Sequence, residues 1–159
     1  MPIEIERKFL VINDSFKRKA FKKLKIIQGY LCSVPERNVR IRVNGEKGFI
    51  TVKGRVNESG LGRFEWEKEI SIQEANELLK MCEPGIINKT RYHVKSGKHI
   101  FEVDEFHSEN DGLIVAEIEL KSEDEEFIKP AWLGVEVTGE IRYFNSMLKK
   151  YPFSTWDNK

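Results

Sequence analysis

The sequence predicts a mainly β protein of the α+β kind: a closed eight-stranded antiparallel barrel with a charged lumen, covered by a few amphipathic helices. Two observations carry that expectation. Eight runs alternate polar and apolar residues with the period of a strand, so each presents one charged and one apolar face. The charges are also segregated: acids fall in pairs on some strands and bases on others, whereas a face in plain water mixes them with Ser, Thr and Gln. Eight strands are enough to close a barrel, and with the apolar faces outward the helices cover them while the charges line the lumen. A dry lumen so charged would be costly, so water, metal ions and an anionic ligand are expected inside it. Alternation by itself fits equally well an open sheet with its apolar face on a core and its charged face in solvent.

The expected strands run over residues 3–11, 26–33, 38–43, 49–53, 63–70, 87–94, 99–106 and 113–121. Their apolar faces include Ile3, Ile5 and Phe9; Val39, Ile41 and Val43; Ile50 and Val52; Phe64 and Trp66; and Ile114, Ala116, Ile118 and Leu120. The clearest helix starts at Ser71 and reaches about Cys82. Ser71 and Glu74 form a capping box, Ile72, Ala75, Leu78, Leu79 and Cys82 make an apolar stripe, and Pro84 with Gly85 stops it. Phe16, Ala20 and Leu24 predict a short early helix; Ile141, Phe144, Met147, Leu148 and Tyr151 predict a late one beginning near Thr138. Ser96 and Gly97 suit a two-residue hairpin loop, which sets Arg91 opposite Glu102 and Lys89 opposite Asp104. Asn44 and Gly45 mark a second turn, where a loop of two or of four residues keeps Arg40, Arg42, Thr51 and Lys53 on one face. No repeat, linker or low-complexity stretch divides the chain, so one domain is expected over residues 1–159.

Composition narrows the function. With 40% hydrophobic and 33% charged residues and a net charge of +1, the chain is neither disordered nor a nucleic-acid binder working through bulk positive charge. Any charge-based function is local. Cys32 and Cys82 belong to no CxxC pair, which speaks against a zinc site or a redox pair and for a reduced, cytoplasmic setting. The N-terminus has no apolar run behind a basic stretch, and no window approaches about 18 apolar residues, so neither a signal peptide nor a membrane span is expected. The oligomeric state stays open, a homodimer included.

The opening strand carries the first chemical signal. Glu4, Glu6 and Lys8 share a face, each roughly 6 to 7 Å from the next. Two carboxylates and an ammonium in a row suit chelation of a hard cation with a phosphate oxygen held beside it, as metal-assisted phosphate chemistry requires. Over all strands the charged faces set Glu4, Glu6, Glu65, Glu67, Glu102, Asp104, Glu117 and Glu119 against Lys8, Arg40, Arg42, Lys53, Arg63, Lys89, Arg91 and Lys121. Carboxylate donors suit Mg2+ or Mn2+ better than Zn2+, which prefers His or Cys. His93, His99 and His107 are read as structural or solvated, as isolated histidines on strands usually are. Trp66 falls on the apolar face, and Trp132 and Trp156 read as packing or tail residues. Arg142 and Asn145, on the late helix, either close one end of the barrel or lie on a plain surface helix.

These motifs, taken in order, carry a family resemblance. EIERKFLV opens the chain, followed by QGYL (28–31), RIR (40–42), TVK (51–53), RFEWE (63–67), KTRY (89–92), FEVDEF (101–106), AEIEL (116–120) and EVTGEIRYFN (136–145). In this order they make the chain similar, nearly end to end, to the CYTH or triphosphate tunnel metalloenzyme family. ExExK alone is weak; its combination with RxR, TxK, RxExE, KxR and a late ExE is specific. The resemblance implies a tunnel of eight antiparallel strands that binds a triphosphate and a divalent metal. It implies metal binding by Glu4, Glu6, Glu117 and Glu119, with Glu65, Glu67 and Asp104 as further acidic wall. Lys8, Arg40, Arg42, Lys53, Lys89 and Arg91 become the triphosphate clamp, joined by Arg63 and shaped by Tyr30. The expected reaction is hydrolysis of inorganic tripolyphosphate to phosphate and pyrophosphate, one metal bridging phosphoryl oxygens and a second metal or a glutamate activating water. Thiamine triphosphatase, nucleoside triphosphatase, class IV adenylyl cyclase and a non-catalytic polyphosphate or nucleotide binder are the alternatives. The charged face has few aromatics to grip a base, which favours the inorganic substrate.

Overall fold

The alternating runs become nine strands in the computed structural model, which describes residues 5–56 and 63–157. They are β1 (Ile5–Val11), β2 (Ala20–Cys32), β3 (Arg37–Asn44), β4 (Lys47–Val56), β5 (Arg63–Ile70), β6 (Ile87–Ser96), β7 (His99–Phe106), β8 (Ile114–Leu120) and β9 (Leu133–Glu136). The helices are α1 (Phe16–Lys19), α2 (Ile72–Lys80) and α3 (Asn145–Leu148). One antiparallel sheet follows the order β5-β4-β3-β2-β6-β7-β8-β1-β9. Its two ends are β5 and β9, and among the described residues no ladder joins them. The eight expected strands are β1–β8. β9 is an addition the pattern did not announce, because it has only four residues and one of them is Gly134. Among the described residues no helix is long and apolar enough to cross a membrane.

Two compact units divide the described chain: residues 25–88, and residues 5–24 with 89–157. In the first, α2 begins where its capping box predicts, with Ser71 Oγ accepting from the Glu74 N–H at 3.0 Å and Glu74 accepting from the Ser71 N–H at 3.2 Å. The segment packs on the face carrying Ile41, which is fully buried. That packing leaves no room for side chains at two strand glycines. A Cβ on Gly48 would stand 2.7 Å from the Ala75 Cβ, and one on Gly29 would stand 2.5 Å from Ile86 Cδ1. The opposite face of β2–β5 keeps the charges. Phe64 and Trp66, expected as covered apolar residues, are exposed on the end strand β5.

In the second unit Phe9, Phe16, Phe101, Val103, Ala116, Ile118 and Trp132 form one buried cluster. Trp132 is fully buried and meets Phe101 edge-on at 5.4 Å, in keeping with a packing role. The early helix is a single turn: Ala20 is already extended and opens β2, because Ala20 and Leu24 fit the strand period as well as the helical one. The late helix is also broken. Gly139 has φ +78, residues Ile141–Tyr143 form a 3-10 turn, and the extended Phe144 separates that turn from α3.

Both hairpins place glycine first in a two-residue loop, as a type II′ turn requires. Gly45 (φ +64) and Glu46 join Asn44 to Lys47, and Gly97 (φ +62) and Lys98 join Ser96 to His99. The β6–β7 register therefore differs from the expected one. Arg91 lies opposite Asp104 and Lys89 opposite Phe106, because the glycine takes the first loop position and Ser96 stays in the strand. The slip is two residues, so every side chain keeps its face.

Candidate active site

In the second unit the charged face can be read from the registers. Glu6 lies opposite Glu119 and Lys8 opposite Glu117 across β1–β8. Glu117 also lies opposite Glu102 on β7, and Asp104 opposite Arg91 on β6. The centre is a buried ionic cluster. Arg91 donates twice to Asp104, from Nε to Oδ1 at 2.8 Å and from Nη2 to Oδ2 at 2.9 Å. Lys89, fully buried, places Nζ 2.9 Å from Asp104 Oδ2 and donates to Asn145 Oδ1 at 3.0 Å. Burial alone would raise the Asp104 carboxyl, but Lys89 and Arg91 outweigh it and hold the group well below the usual carboxylate range. Burial likewise opposes the charge on Arg91, and Asp104 outweighs it, strengthening the guanidinium. Arg91 Nη1 reaches Glu102 at 3.0 Å as well.

The flank toward β1 is different. Glu6 faces Glu119, and Glu102 faces Glu117, two like-charge pairs directly across the ladder, an arrangement that destabilises a sheet unless a cation relieves it. Lys8 Nζ lies 3.5 Å from Glu117 and 5.0 Å from the Phe144 ring centroid. Among the described residues no three acidic, His or Cys side chains already converge on one point. The donors are nonetheless all carboxylates, in facing pairs, and fit a hard divalent ion. Glu4 lies outside the described residues, and so does the side chain of Arg63.

The first unit presents its own charged face: Gln28 and Tyr30 on β2 opposite Arg42 and Arg40 on β3, then Thr51 on β4 opposite Arg40, and Lys53 opposite Glu65 on β5. Arg40, Arg42, Thr51 and Lys53 share it, as expected for a two-residue loop. Here the arginines make hydrogen bonds to neutral side chains. Arg42 Nε donates to Gln28 Oε1 at 2.8 Å, and Arg40 Nη2 to Thr51 Oγ1 at 3.4 Å. Thr51 in turn donates to Glu67 at 2.9 Å, while Arg40 and Glu67 approach only to 3.9 Å. Arg40 Nε is buried without a hydrogen-bond partner. A buried guanidinium with an unmet N–H is a ready donor for an anion. Glu65 and Glu67 are exposed on β5, and Tyr30 is buried beside Arg40.

Sequence reasoning gave Gln28 no role, although it stands two residues before Tyr30 on the same strand face; it set Thr51 on the charged face and weighed Asn145 only as closing one end of the barrel, without finding their partners. The histidines divide. His99 Nε2 meets Glu125 at 2.5 Å and His107 meets Thr90 at 2.8 Å. His93 has a buried Nε2 without a partner, and it lines, with His99, Glu102, Glu119, Lys121 and Glu125, a cavity of about 400 Å3 in the second unit.

Comparison with known proteins adds a lineage. A family model described as the CYTH domain matches residues 2–150. An inorganic triphosphatase of Acetivibrio thermocellus is 46% identical over 154 residues, covering 96% of this chain and 97% of that protein. An inorganic triphosphatase of Nitrosomonas europaea is 38% identical over 152 residues, covering 91% and 95%. A crystal structure of an inorganic triphosphatase superposes with a TM-score of 0.73 at 34% identity, covering 94% of this chain and 95% of that one.

Proposed function

The chain belongs to the CYTH domain family, and on that premise we propose that it is a triphosphatase hydrolysing inorganic tripolyphosphate to phosphate and pyrophosphate. The observation that carries this reading is the end-to-end likeness to two inorganic triphosphatases, from different organisms, in a chain whose strands keep segregated acids and bases. The reading brings with it a single domain over residues 1–159 and the closed eight-stranded tunnel of the family.

Roles follow from each face. Glu6, Glu117 and Glu119, with Glu4, would hold a divalent ion, Mg2+ or Mn2+, and Glu65, Glu67 and Asp104 would extend the acidic wall. Bound there, such an ion supplies charge neutralisation at phosphoryl oxygens. Arg40 and Arg42, hydrogen-bonded to Thr51 and Gln28, would take phosphate oxygens; Lys53, Lys8, Lys89, Arg91 and Arg63 complete the clamp, and Tyr30 packs beside Arg40. Water adds to a terminal phosphorus, the bridging P–O bond breaks, and pyrophosphate leaves. The transition state is loose, so holding the chain in line and stabilising charge provide most of the rate.

Phosphate release and product identity with tripolyphosphate, thiamine triphosphate and ATP test the proposal. The expected outcome is a higher kcat/KM for tripolyphosphate than for ATP, with ADP and phosphate as the products of any ATP turnover. Cyclic AMP as the main product, with poor tripolyphosphate cleavage, would overturn it in favour of a cyclase. Tight tripolyphosphate binding without phosphate release under any divalent ion would make the protein a binding module.

A further inference from the structure

Phe144 and Asn145 sit where the late segment breaks. The extended backbone of Phe144 (φ −70, ψ 138) ends the 3-10 turn before it and starts α3 after it. Two successive side chains then meet two different lysines of the second unit's charged face. The Phe144 ring centroid is 5.0 Å from Lys8 Nζ, and Asn145 Oδ1 accepts from Lys89 Nζ at 3.0 Å. Lys8 is on β1 and Lys89 on β6, with β7 and β8 between them in the sheet order. Each contact holds an ammonium without neutralising it, one through an aromatic face and the other through an amide oxygen. At Asp104, Lys89 shares one carboxylate with Arg91, whose guanidinium also reaches Glu102 at 3.0 Å.

We propose that Asn145 is a positioning residue, whose neutral amide oxygen sets the direction of the Lys89 ammonium without adding negative charge to the polyphosphate site. The inference rests on the function proposed above. A carboxylate at position 145 would set an added negative charge against Lys89, where the substrate's own negative charge must come.

The test compares Asn145→Asp with Asn145→Ala. Aspartate has the shape of asparagine and suits the first turn of a helix at least as well. If Asn145 only seats α3, Asn145→Asp keeps wild-type kinetics and Asn145→Ala is the worse variant. Positioning gives the opposite order: Asn145→Asp raises the KM for tripolyphosphate about tenfold or more with an unchanged or higher unfolding midpoint, as like-charge placement does. Asn145→Ala lowers kcat several-fold with little change in KM. Should the alanine variant fail to fold, Asn145→Ser serves in its place. A KM for Asn145→Asp within about twofold of wild type overturns the inference. Wild-type protein that cleaves no tripolyphosphate defeats the proposed function instead, so the two failures are distinguishable.

Discussion

The two charged faces handle charge in opposite ways. On β6 and β7, acid and base are buried in direct contact: Asp104 lies between Lys89 and Arg91, each within 2.9 Å. On β2–β4, Arg42 donates to Gln28 and Arg40 to Thr51, Arg40 meets the exposed Glu67 only at 3.9 Å, and it keeps a buried N–H unmet. A compensated cluster fixes geometry, since removing one member strands the others. A cation held by neutral groups keeps its field for a ligand and contributes little to stability on its own. The carboxylate pairs Glu6–Glu119 and Glu102–Glu117 are a third case: like charges face each other across the ladder, with Arg91 at 3.0 Å from Glu102 and Lys8 at 3.5 Å from Glu117.

The sharpest way to break this contrast is at Asp104. Asp104→Ala removes the carboxylate that the buried Lys89 and Arg91 share, and loss of one partner from a buried ionic group costs about 3–5 kcal/mol. Urea denaturation should show that loss together with loss of turnover. A change under about 1 kcal/mol would mean that the cluster is solvated rather than compensated.

Next come the facing carboxylates. EDTA should abolish hydrolysis and Mg2+ or Mn2+ restore it, and Glu119→Gln should lower kcat by tens-fold or more, as loss of one strong electrostatic contact commonly does. The same variant should leave metal-free stability unchanged or higher, since it removes one member of a like-charge pair. Lower stability together with near-normal turnover would reassign Glu119 to the structural class of Asp104.

Arg40→Met should be the mirror image of Asp104→Ala. It deletes a buried donor without a partner, so stability should stay within about 1 kcal/mol of wild type, while tripolyphosphate affinity measured by calorimetry falls about tenfold. Destabilisation on the scale of Asp104→Ala would erase the difference between the two faces.

How far the sequence foretold this depends on the kind of information involved. Face membership was legible, because a strand's period of two is local: Arg40, Arg42, Thr51 and Lys53 share a face, as do Lys89, Arg91, Glu102 and Asp104. The capping box of α2 was legible for the same reason. Partner identity was not. Shifting one hairpin loop by a residue, so that Gly97 comes first, moved Arg91 from Glu102 to Asp104 across the ladder. Lys89 still reaches Asp104, but diagonally, and it also donates to Asn145 from 56 residues away. β9 escaped because it is four residues long and holds a glycine; its place is set by β1, through Phe9 opposite Glu136 and the Val137 N–H donating to Lys8 O at 2.8 Å.

That β1–β9 seam carries the smallest expected effect. Arg7 donates to both oxygens of Glu136, at 2.9 and 2.6 Å, and Thr138 donates to Oε2 at 2.6 Å while its hydroxyl oxygen accepts from the Lys8 N–H at 2.9 Å. The Arg7 hydrogen bonds, seconded by Thr138, bring the Glu136 carboxyl down to about 2. Because the folded state then binds its proton less readily than the unfolded chain, the pair's stabilisation is complete above the ordinary glutamate range and is lost as pH falls toward about 2. Glu136 is 36% exposed, so water and salt screen the pair, and its contribution is that of a surface ion pair, about 0.2–1 kcal/mol. Urea midpoints for wild type and Glu136→Gln, taken from about pH 6 down to about pH 2, should therefore converge at the acid end and separate by that amount at the neutral end. Asp104 is lowered by buried partners instead, so its share of the acid sensitivity should survive high salt while the Glu136 share shrinks. Identical profiles for the two proteins at every pH would show that β9 is held by its backbone hydrogen bonds alone.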